Sequence, residues 1–190
     1  MKISKLNSIP ETFCSMDAST NSVAYAIFRD GNLESYGKID FSGADIYLKI
    51  YSAAKKVYET FKDKSIGGMV IERAVFINSP KTMSELSMVQ GAIIAGFAMA
   101  GTSKFKGINP IAWQTSIGNG KLTKEEKLKI RKENPGKSDS WYKAFERDVR
   151  KNKTISFVEV NYDISLTDND IADAIGIGHY AINNWNRMEG

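Results

Sequence analysis

A single acidic residue beside an alternating apolar run constrains this chain most. Asp17 precedes the run at residues 22–28, and an Asp-Gly pair at 30–31 gives a hairpin turn signal directly after it. The pattern predicts an antiparallel meander of three strands, covering residues 13–17, 23–29 and 33–39. A carboxylate in a buried central strand is costly without a partner, so we expect a metal ion beside Asp17.

Composition limits what kind of protein this is. The 190 residues are 42% hydrophobic and 25% charged, which suits one globular domain over residues 1–190. No apolar run is long enough to span a membrane, and the start lacks a signal-peptide core, so we expect no export. The single Cys14 fits a reducing cytoplasm. Because His179 is the only histidine, a metal site must be mostly carboxylate, which favours Mg²⁺ or Mn²⁺ over zinc.

Two further strands are predicted beyond the meander. Residues 45–62 have helical periodicity, and the short β-branched run at 69–72 is typical of a buried strand. A helical crossover makes that strand parallel to the first, with Glu72 at its carboxyl end, where open sheets bind ligands. A helix over 79–100 is apolar nearly all round, which places it in the core, in a subunit interface or in both. Residues 105–108 form the next predicted strand.

The positive charge of the chain is concentrated in one segment. Residues 121–153 contain twelve Lys or Arg against six Asp or Glu, a local charge of +6. We predict a flexible link at 118–120, helices over 124–133 and 138–151, and a strand over 155–160. The segment is interpreted as a basic helical enlargement with a phosphate-binding surface. A solvated helical face is the alternative.

The predicted terminal helix carries a second group of acids. It runs over residues 168–185, capped by Thr167 or Asp168, and places Asp170 and Asp173 one turn apart on one face. Apolar residues follow directly, so this is not a typical solvated helix. Asp17, Glu72 and this acidic pair can therefore converge at one end of the sheet. Carboxylates packed together need cations between them, and two divalent ions roughly 3.5–4 Å apart are used in phosphodiester hydrolysis.

These residues together resemble the RuvC-type Holliday junction resolvases, which have the ribonuclease H-like fold. The resemblance is carried by an early strand with Asp17, a later Val-Ile-Glu strand ending at Glu72, and a terminal Asp-x-x-Asp-Ala helix. Residues 90–92 and the segment Gln114–Gly118 also match the family pattern. The resemblance covers most of residues 13–182 and is strongest to the divergent members found in phages. It implies an α/β fold whose mixed sheet has three antiparallel strands, then parallel strands, flanked by helices.

The resemblance also implies an activity. The family members are homodimers that cut two strands of a four-way junction symmetrically, leaving a 5′-phosphate and a 3′-hydroxyl. We therefore expect a metal-dependent endonuclease with two Mg²⁺ or Mn²⁺ ions per active site, acting on branched DNA in the cytoplasm of a bacterial or phage-infected cell. The expected catalytic residues and metal ligands are Asp17, Glu72, Asp170 and Asp173.

Four residues are expected to bind DNA on the same grounds. The family has an aromatic wedge in the loop after its glutamate, for which Phe76 is the candidate. Lys124 stands where the family has a basic residue important for activity. Where the family has a lysine before Gln-Thr, this chain has Trp113, so that basic role is lost or moved to Lys121 or Arg73.

Three other interpretations account for parts of the same sequence. Residues 17–22 resemble a phosphate-binding loop of actin-like ATPases, but those enzymes need two large halves and 190 residues hold one. A junction-binding protein that does not cut would have no need of four intact acids. Hydrolysis of an RNA–DNA hybrid, or a transposase activity, is the nearest competitor within the same fold.

Overall fold

The computed structural model describes residues 9–75 and 79–188. Phe76 lies outside these residues, so the expected wedge is untested. The strands are β1 (Thr12–Ala18), β2 (Ser22–Arg29), β3 (Asn32–Asp40), β4 (Gly68–Glu72) and β5 (Lys104–Ile108). The helices are α1 (Ile46–Phe61), α2 (Pro80–Met99), α3 (Pro110–Ser116), α4 (Lys124–Glu133), α5 (Asp139–Tyr162) and α6 (Asn169–Asn184), followed by a 3₁₀ turn at Trp185–Arg187.

The sheet confirms the predicted topology. Its five strands lie in the order β3-β2-β1-β4-β5. The pairs β1–β2 and β2–β3 are antiparallel, whereas β1–β4 and β4–β5 are parallel. The crossover through α1 reaches β4 beside β1, so the carboxyl ends of these two central strands share one edge of the sheet.

Helices cover both faces of the sheet, each over its own hydrophobic core. On one face α1 and α2 pack against side chains such as Met16 and Met69. On the other face α6 packs against Phe13 and Val70, with α3 and α5 beside it. Neighbouring side chains on a strand point to opposite faces. Asp17 and Glu72, two residues beyond Ser15 and Val70, therefore face α6.

Two glycines allow α6 to lie close to the sheet. A Cβ at Gly178 would come within 2.1 Å of the Phe28 ring and 2.6 Å of the Ser15 hydroxyl. A Cβ at Gly176 would come within 2.9 Å of Trp113. The Ser15 hydroxyl donates to the Ala174 carbonyl at 2.7 Å, which fixes the helix directly over β1. The acidic N-terminal turns of α6 are thereby held over the carboxyl edge of β1.

The basic segment forms a helical arm, with one correction to the prediction. Residues 155–160 belong to the 24-residue helix α5, and the predicted strand is wrong. The alternating pattern of residues 155–160 favoured a strand, but Thr154 and Val158, four apart, are both buried on one helical face. The C-terminal half of α5 packs on α6, and this tertiary contact overrides local propensity.

We call residues 121–153 the basic arm. Its small core contains three buried residues, supported by partly buried aromatic side chains. The buried residues are Leu122, Ile130 and Tyr142. The predicted capping box of α4 is present, with Thr123 and Glu126 bonding each other's backbone N–H groups. Among the described residues, no helix is long and apolar enough to cross a membrane.

Candidate active site

The sheet brings Asp17 and Glu72 together at its carboxyl edge. Met16 pairs with Ile71 in the parallel ladder of β1 and β4, so the next residue of each strand is an acid. Both carboxylates point to the α6 face. The backbone after Glu72 is held by Gln90 of α2, whose amide donates to the Glu72 carbonyl at 2.8 Å and accepts from the Ala74 N–H at 3.3 Å. Gln90, which matches the family pattern in the sequence, therefore has a structural role at the end of β4.

The N-terminal turns of α6 supply the other two acids. Asp168 is the N-cap and accepts from the backbone N–H groups of Asp170 and Ile171, which settles the capping prediction. Asp170 and Asp173 then stand on successive positions of one helical face, half-buried above the sheet edge. The sequence-predicted acids therefore come from three elements and lie within electrostatic reach of one another.

Burial and mutual repulsion raise the pKa of three of these acids, Asp17, Glu72 and Asp173. Burial, reinforced by the charges of Asp173 and Asp170, raises the pKa of Asp17 to about 7. Burial and the charge of Asp17 raise the pKa of Glu72 to about 7. The pKa of Asp173 is also raised to about 7, by burial and by the charge of Glu72. Carboxylates so arranged repel one another until a cation neutralises them.

A lysine on the outer strand of the meander forms ion pairs with two acids at the start of α6. Lys38 on β3 pairs with Ala24, which pairs with Asp17, so all three lie in one row across the sheet. Its Nζ contacts Asp170 Oδ2 at 2.6 Å and Asp168 Oδ2 at 3.2 Å. The sequence did not predict a role for Lys38, because its alignment with Asp17 depends on the register of the strands.

Trp113 takes part in the site through a neutral donor. Its side chain is fully buried, and the indole Nε1–H donates to Glu72 Oε2 at 2.6 Å. The family lysine expected at this position is thus replaced by a hydrogen-bond donor without charge. The ring lies against Gly176 of α6, so it also bridges Glu72 to the helix that carries the aspartates.

The donor set fits a hard divalent cation, although the carboxylates are not arranged as a closed cage. Four carboxylates with oxygen ligands only are what Mg²⁺ and Mn²⁺ prefer. Within residues 9–75 and 79–188, no three His, Cys, Asp or Glu side chains are grouped closely enough to hold one ion as they stand. Lys38 and Trp113 instead hold Asp170 and Glu72 separately.

Three of the expected DNA-binding residues, Arg73, Lys121 and Lys124, belong to the described part of the chain. The Arg73 side chain crosses Gly107 of β5 on the α2 face, away from Glu72. Lys121 and Lys124 are exposed at the start of the basic arm. One residue of the 121–153 segment, Lys151, does act on the acids. Its positive charge lowers the pKa of Asp173 and so counteracts part of the rise that burial causes.

Lys151 ends a row of three cations on α5. Lys143, Arg147 and Lys151 recur every four residues, and all are exposed. Side chains four apart share one face of a helix, so the row leads along the arm toward Asp173. Several other arm cations are neutralised by carboxylates: Lys127 by Glu146, Arg131 by Asp139 and Lys153 by Glu126. We call the three-residue row the α5 basic row.

Comparison with known proteins finds similarity in fold but none in sequence. No protein-family model matches the chain, and no curated protein matches it in sequence. Its fold is that of RuvC. Thermus thermophilus RuvC in complex with a Holliday junction substrate has a TM-score of 0.66 and 10% identity, covering 93% of this chain and 96% of that one.

Two further solved structures are similar. Thermus thermophilus RuvC gives a TM-score of 0.64 with 11% identity over 93% of this chain and 96% of that one. The yeast mitochondrial Holliday junction resolvase Ydc2 gives a TM-score of 0.49 with 13% identity over 92% of this chain and 78% of that one. At these identities the likeness to RuvC establishes the fold, which is the one expected from the sequence.

Proposed function

We propose that this chain is a metal-dependent endonuclease that cuts four-way or other branched DNA. The observation that supports this most strongly is the meeting of four acids, Asp17, Glu72, Asp170 and Asp173, on a RuvC fold. Burial and mutual repulsion raise the pKa of three of them to about 7, which is unfavourable for folding unless cations bind.

The carboxylates would hold two Mg²⁺ or Mn²⁺ ions. When bound, such ions activate the attacking water and stabilise the leaving oxygen in phosphodiester hydrolysis. The protein supplies the rest: it fixes Asp17 and Glu72 on adjacent rigid strands and holds Glu72 through Trp113. Lys38 contributes positive charge beside Asp170, where a phosphate would add to the negative charge of the site.

The α5 basic row is the proposed path of the DNA backbone. Phosphates are bound chiefly by Lys and Arg, and this contact positions the duplex without reading its sequence. The row ends at Lys151, whose charge lowers the pKa of Asp173, so a strand bound along the row would be led toward the acids. This proposal adds three residues to the predicted set of Lys121, Lys124, Arg73 and Phe76.

A homodimer would give two such sites. The outer face of α2 supports it, because exposed apolar or small residues recur there at helical spacing: Met88, Gly91, Ala95 and Met99. The Met99 side chain is 69% exposed. Ala95→Arg should shift the protein from dimer to monomer in sedimentation velocity. An unchanged sedimentation coefficient would contradict this interface.

Cleavage assays on a set of labelled substrates test the function. The substrates are a four-way junction, a Y-fork, a linear duplex and an RNA–DNA hybrid, each with Mg²⁺ or Mn²⁺. The wild type is compared with Glu72→Gln and with Glu59→Gln, an exposed glutamate on α1 that serves as the matched control. We expect paired symmetric nicks in the junction, lost in Glu72→Gln and kept in Glu59→Gln.

The other outcomes are equally informative. Tight junction binding without cutting would identify a non-catalytic junction-binding protein. Cutting of the hybrid alone would keep the fold and overturn the substrate. Normal cleavage by Glu72→Gln or Asp173→Asn would overturn the assignment of the acids.

A further inference from the structure

A cleft of about 340 Å³ opens beside β5, the strand at one end of the sheet. It is lined by Arg73 after β4 and Gly107 of β5, together with Tyr180 of α6 and Arg187 of the 3₁₀ turn. We call it the β5 cleft. The two arginines are distant in the sequence, and the folding of the C-terminal turn onto the sheet brings them to one cleft.

The turn that carries Arg187 is held against the sheet. Lys106 of β5 donates to the Met188 carbonyl at 3.1 Å. On the other side of Arg187, Trp185 is 4% exposed and its ring lies 5.6 Å from that of Phe13 on β1. The backbone before and after Arg187 is therefore fixed to the sheet, which keeps this arginine at the β5 cleft.

The lining of the β5 cleft is positively charged. The described residues that line it include two arginines and no Asp or Glu. A guanidinium group stays protonated at every physiological pH, and its planar fork matches the oxygen atoms of a phosphate. Asn109 also lines the cleft, and its Oδ1 accepts from the Ile111 N–H at 2.9 Å, so its amide nitrogen is the atom that can donate to an anion. These groups suit a phosphate.

The β5 cleft adjoins the acids of the candidate site. Arg73 follows Glu72 in the chain, and Ile108, which also lines the cleft, is the register partner of Glu72. In the strand order the cleft lies beyond Glu72, whereas Lys38 lies beyond Asp17 in the other direction. Positive groups therefore flank the acids on both sides along the carboxyl edge of the sheet.

We propose that the β5 cleft binds a backbone phosphate of the DNA strand that the acids cut, close to the cleavage position. The proposal rests on the proposed function of the site. It gives Arg187 a role that the sequence did not predict, and it gives Arg73 the DNA contact expected of it. A phosphate held here would fix the strand beside Glu72 and so align the reacting phosphate with the carboxylates.

The salt dependence of junction binding tests the contact. Arg187 is exposed, so Arg187→Gln should leave the fold intact while it removes one charge from the cleft. Each phosphate contact contributes about 0.9 to the slope of log affinity against log salt. We expect Arg187→Gln to reduce this slope by about 0.9, measured by fluorescence anisotropy on a Glu72→Gln background so that the DNA is not cut.

Arg29→Gln is the matched control, because it makes the same change in total charge at an exposed position. Arg29 pairs with Thr12 at the amino end of β1, on the edge of the sheet opposite the acids. We expect the slope of this variant to equal that of the background protein. Equal slopes for Arg187→Gln and Arg29→Gln would overturn the proposal.

Junctions with single uncharged linkages locate the phosphate. One phosphate at a time, on either side of the mapped cleavage position, is replaced by a methylphosphonate. At the phosphate bound in the β5 cleft, the replacement should weaken binding to the same extent as Arg187→Gln and should have no further effect on that variant. Additive effects at every phosphate around the cleavage position would contradict the proposal.

Inorganic phosphate tests the other source of the same chemistry. A single free phosphate lacks the flanking contacts of a DNA strand, so we expect it to raise the melting temperature of the wild type no more than that of Arg187→Gln. A larger rise for the wild type, together with equal salt slopes for the two proteins, would identify a site for a small phosphate compound and overturn the assignment to DNA.

Failure of this inference is distinguishable from failure of the proposed function. If the wild type binds and cuts junctions while Arg187→Gln keeps the full salt slope, only the role of the β5 cleft is wrong. If the wild type neither binds nor cuts any of the substrates, the proposed function is overturned and this inference with it.

Discussion

Helix α6 and the basic arm are built in opposite ways. The α6 helix is acidic where it begins and is buried from Ala174 to Gly178, against the sheet on one side and α3 and α5 on the other. The basic arm is exposed along most of its length and has three buried residues of its own. The sheet contacts of α6 come from glycines that leave no room for a side chain, whereas α4 packs mainly on α5.

This difference in packing matches the two tasks of the proposed enzyme, which are holding cations and binding the DNA backbone. Acids that share cations must be held to fractions of an ångström, so they belong on elements with dense packing. Phosphate contacts act through charge over longer distances and tolerate movement. Thr154 lies where the two regions meet, since α5 leaves the arm at that point and packs on α6.

The largest effect is expected where α6 packs on the sheet. Gly178→Ala puts a methyl group into the space of Phe28 and Ser15, which have little freedom to move. We expect a loss of about 3 kcal/mol in the free energy of unfolding, measured with guanidinium chloride. Gly91→Ala is the control, with both glycine variants made on the Ala95→Arg background so that the α2 face is not in a dimer contact. Nothing of the same chain lies within 4 Å of a Cβ at Gly91, and helix propensity there should add about 0.5–1 kcal/mol. Equal effects at the two glycines would contradict the close packing of α6.

Much of this architecture was predictable from the sequence. The alternation at 22–28 and the Asp-Gly turn predicted the meander, and the short apolar run before Glu72 predicted the parallel strand. The prediction failed at 155–160, where an alternating pattern favoured a strand but the chain forms part of α5. Local propensity does not contain the contact between α5 and α6, and that contact decides the structure there.

The proximity of the four acids was predictable from the sequence, but the side chains that contact them were not. Asp17, Glu72 and the acidic pair on α6 follow from their positions at element ends. Lys38, in contrast, reaches Asp170 only because strand register aligns it with Asp17. Trp113 resembles an ordinary core residue in the sequence, and the role of its indole N–H becomes clear only from the Glu72 carboxylate that folding brings to it.

In the basic arm, salt dependence tests the proposed DNA path. Each phosphate contact contributes roughly 0.9 to the slope of log affinity against log salt. Lys143→Ala combined with Arg147→Ala should therefore reduce that slope by about 1.8 for junction binding, measured by fluorescence anisotropy on a Glu72→Gln background. The control pair is Lys62→Ala with Lys64→Ala, in the turn leading toward the start of β4. A slope unchanged in the first pair would remove the α5 basic row from the interface.

The two regions should also respond to pH with opposite signs. The pKa of Asp17, Glu72 and Asp173 is about 7 in the folded protein, above the ordinary range near 4 of an unfolded chain. The folded state therefore binds extra protons below pH 7, and stability in EDTA should fall as pH rises through 7. In the arm, the hydrogen bond from Lys153 lowers the pKa of Glu126, so its contribution is lost only at acidic pH.

Thermal melting in EDTA between pH 5 and 8 measures this response. We expect the melting temperature to fall across the range, and the rise on adding Mg²⁺ to grow with pH, because cation binding requires the deprotonated acids. Asp173→Asn removes one of the three acids whose pKa is raised, so the melting temperature of this variant should fall less steeply with pH. A melting temperature that rises steadily from pH 5 to 8 in EDTA would contradict the raised pKa values.

The smallest effect is expected for Lys38 of β3, which forms ion pairs with Asp168 and Asp170 at the start of α6. Lys38 neutralises Asp170 and Asp168 in a half-exposed contact, so Lys38→Met should cost about 1 kcal/mol in EDTA. Lys38→Met also removes a positive charge that competes with Mn²⁺ for Asp170. We therefore expect Mn²⁺ affinity to rise a few-fold, as measured by isothermal titration calorimetry. Lys127→Met, which breaks the arm pair with Glu146, is the control and should leave Mn²⁺ affinity unchanged. Weaker Mn²⁺ binding in Lys38→Met would instead show that the lysine holds Asp170 in its ligating position, and that the acids of α6 depend on the meander.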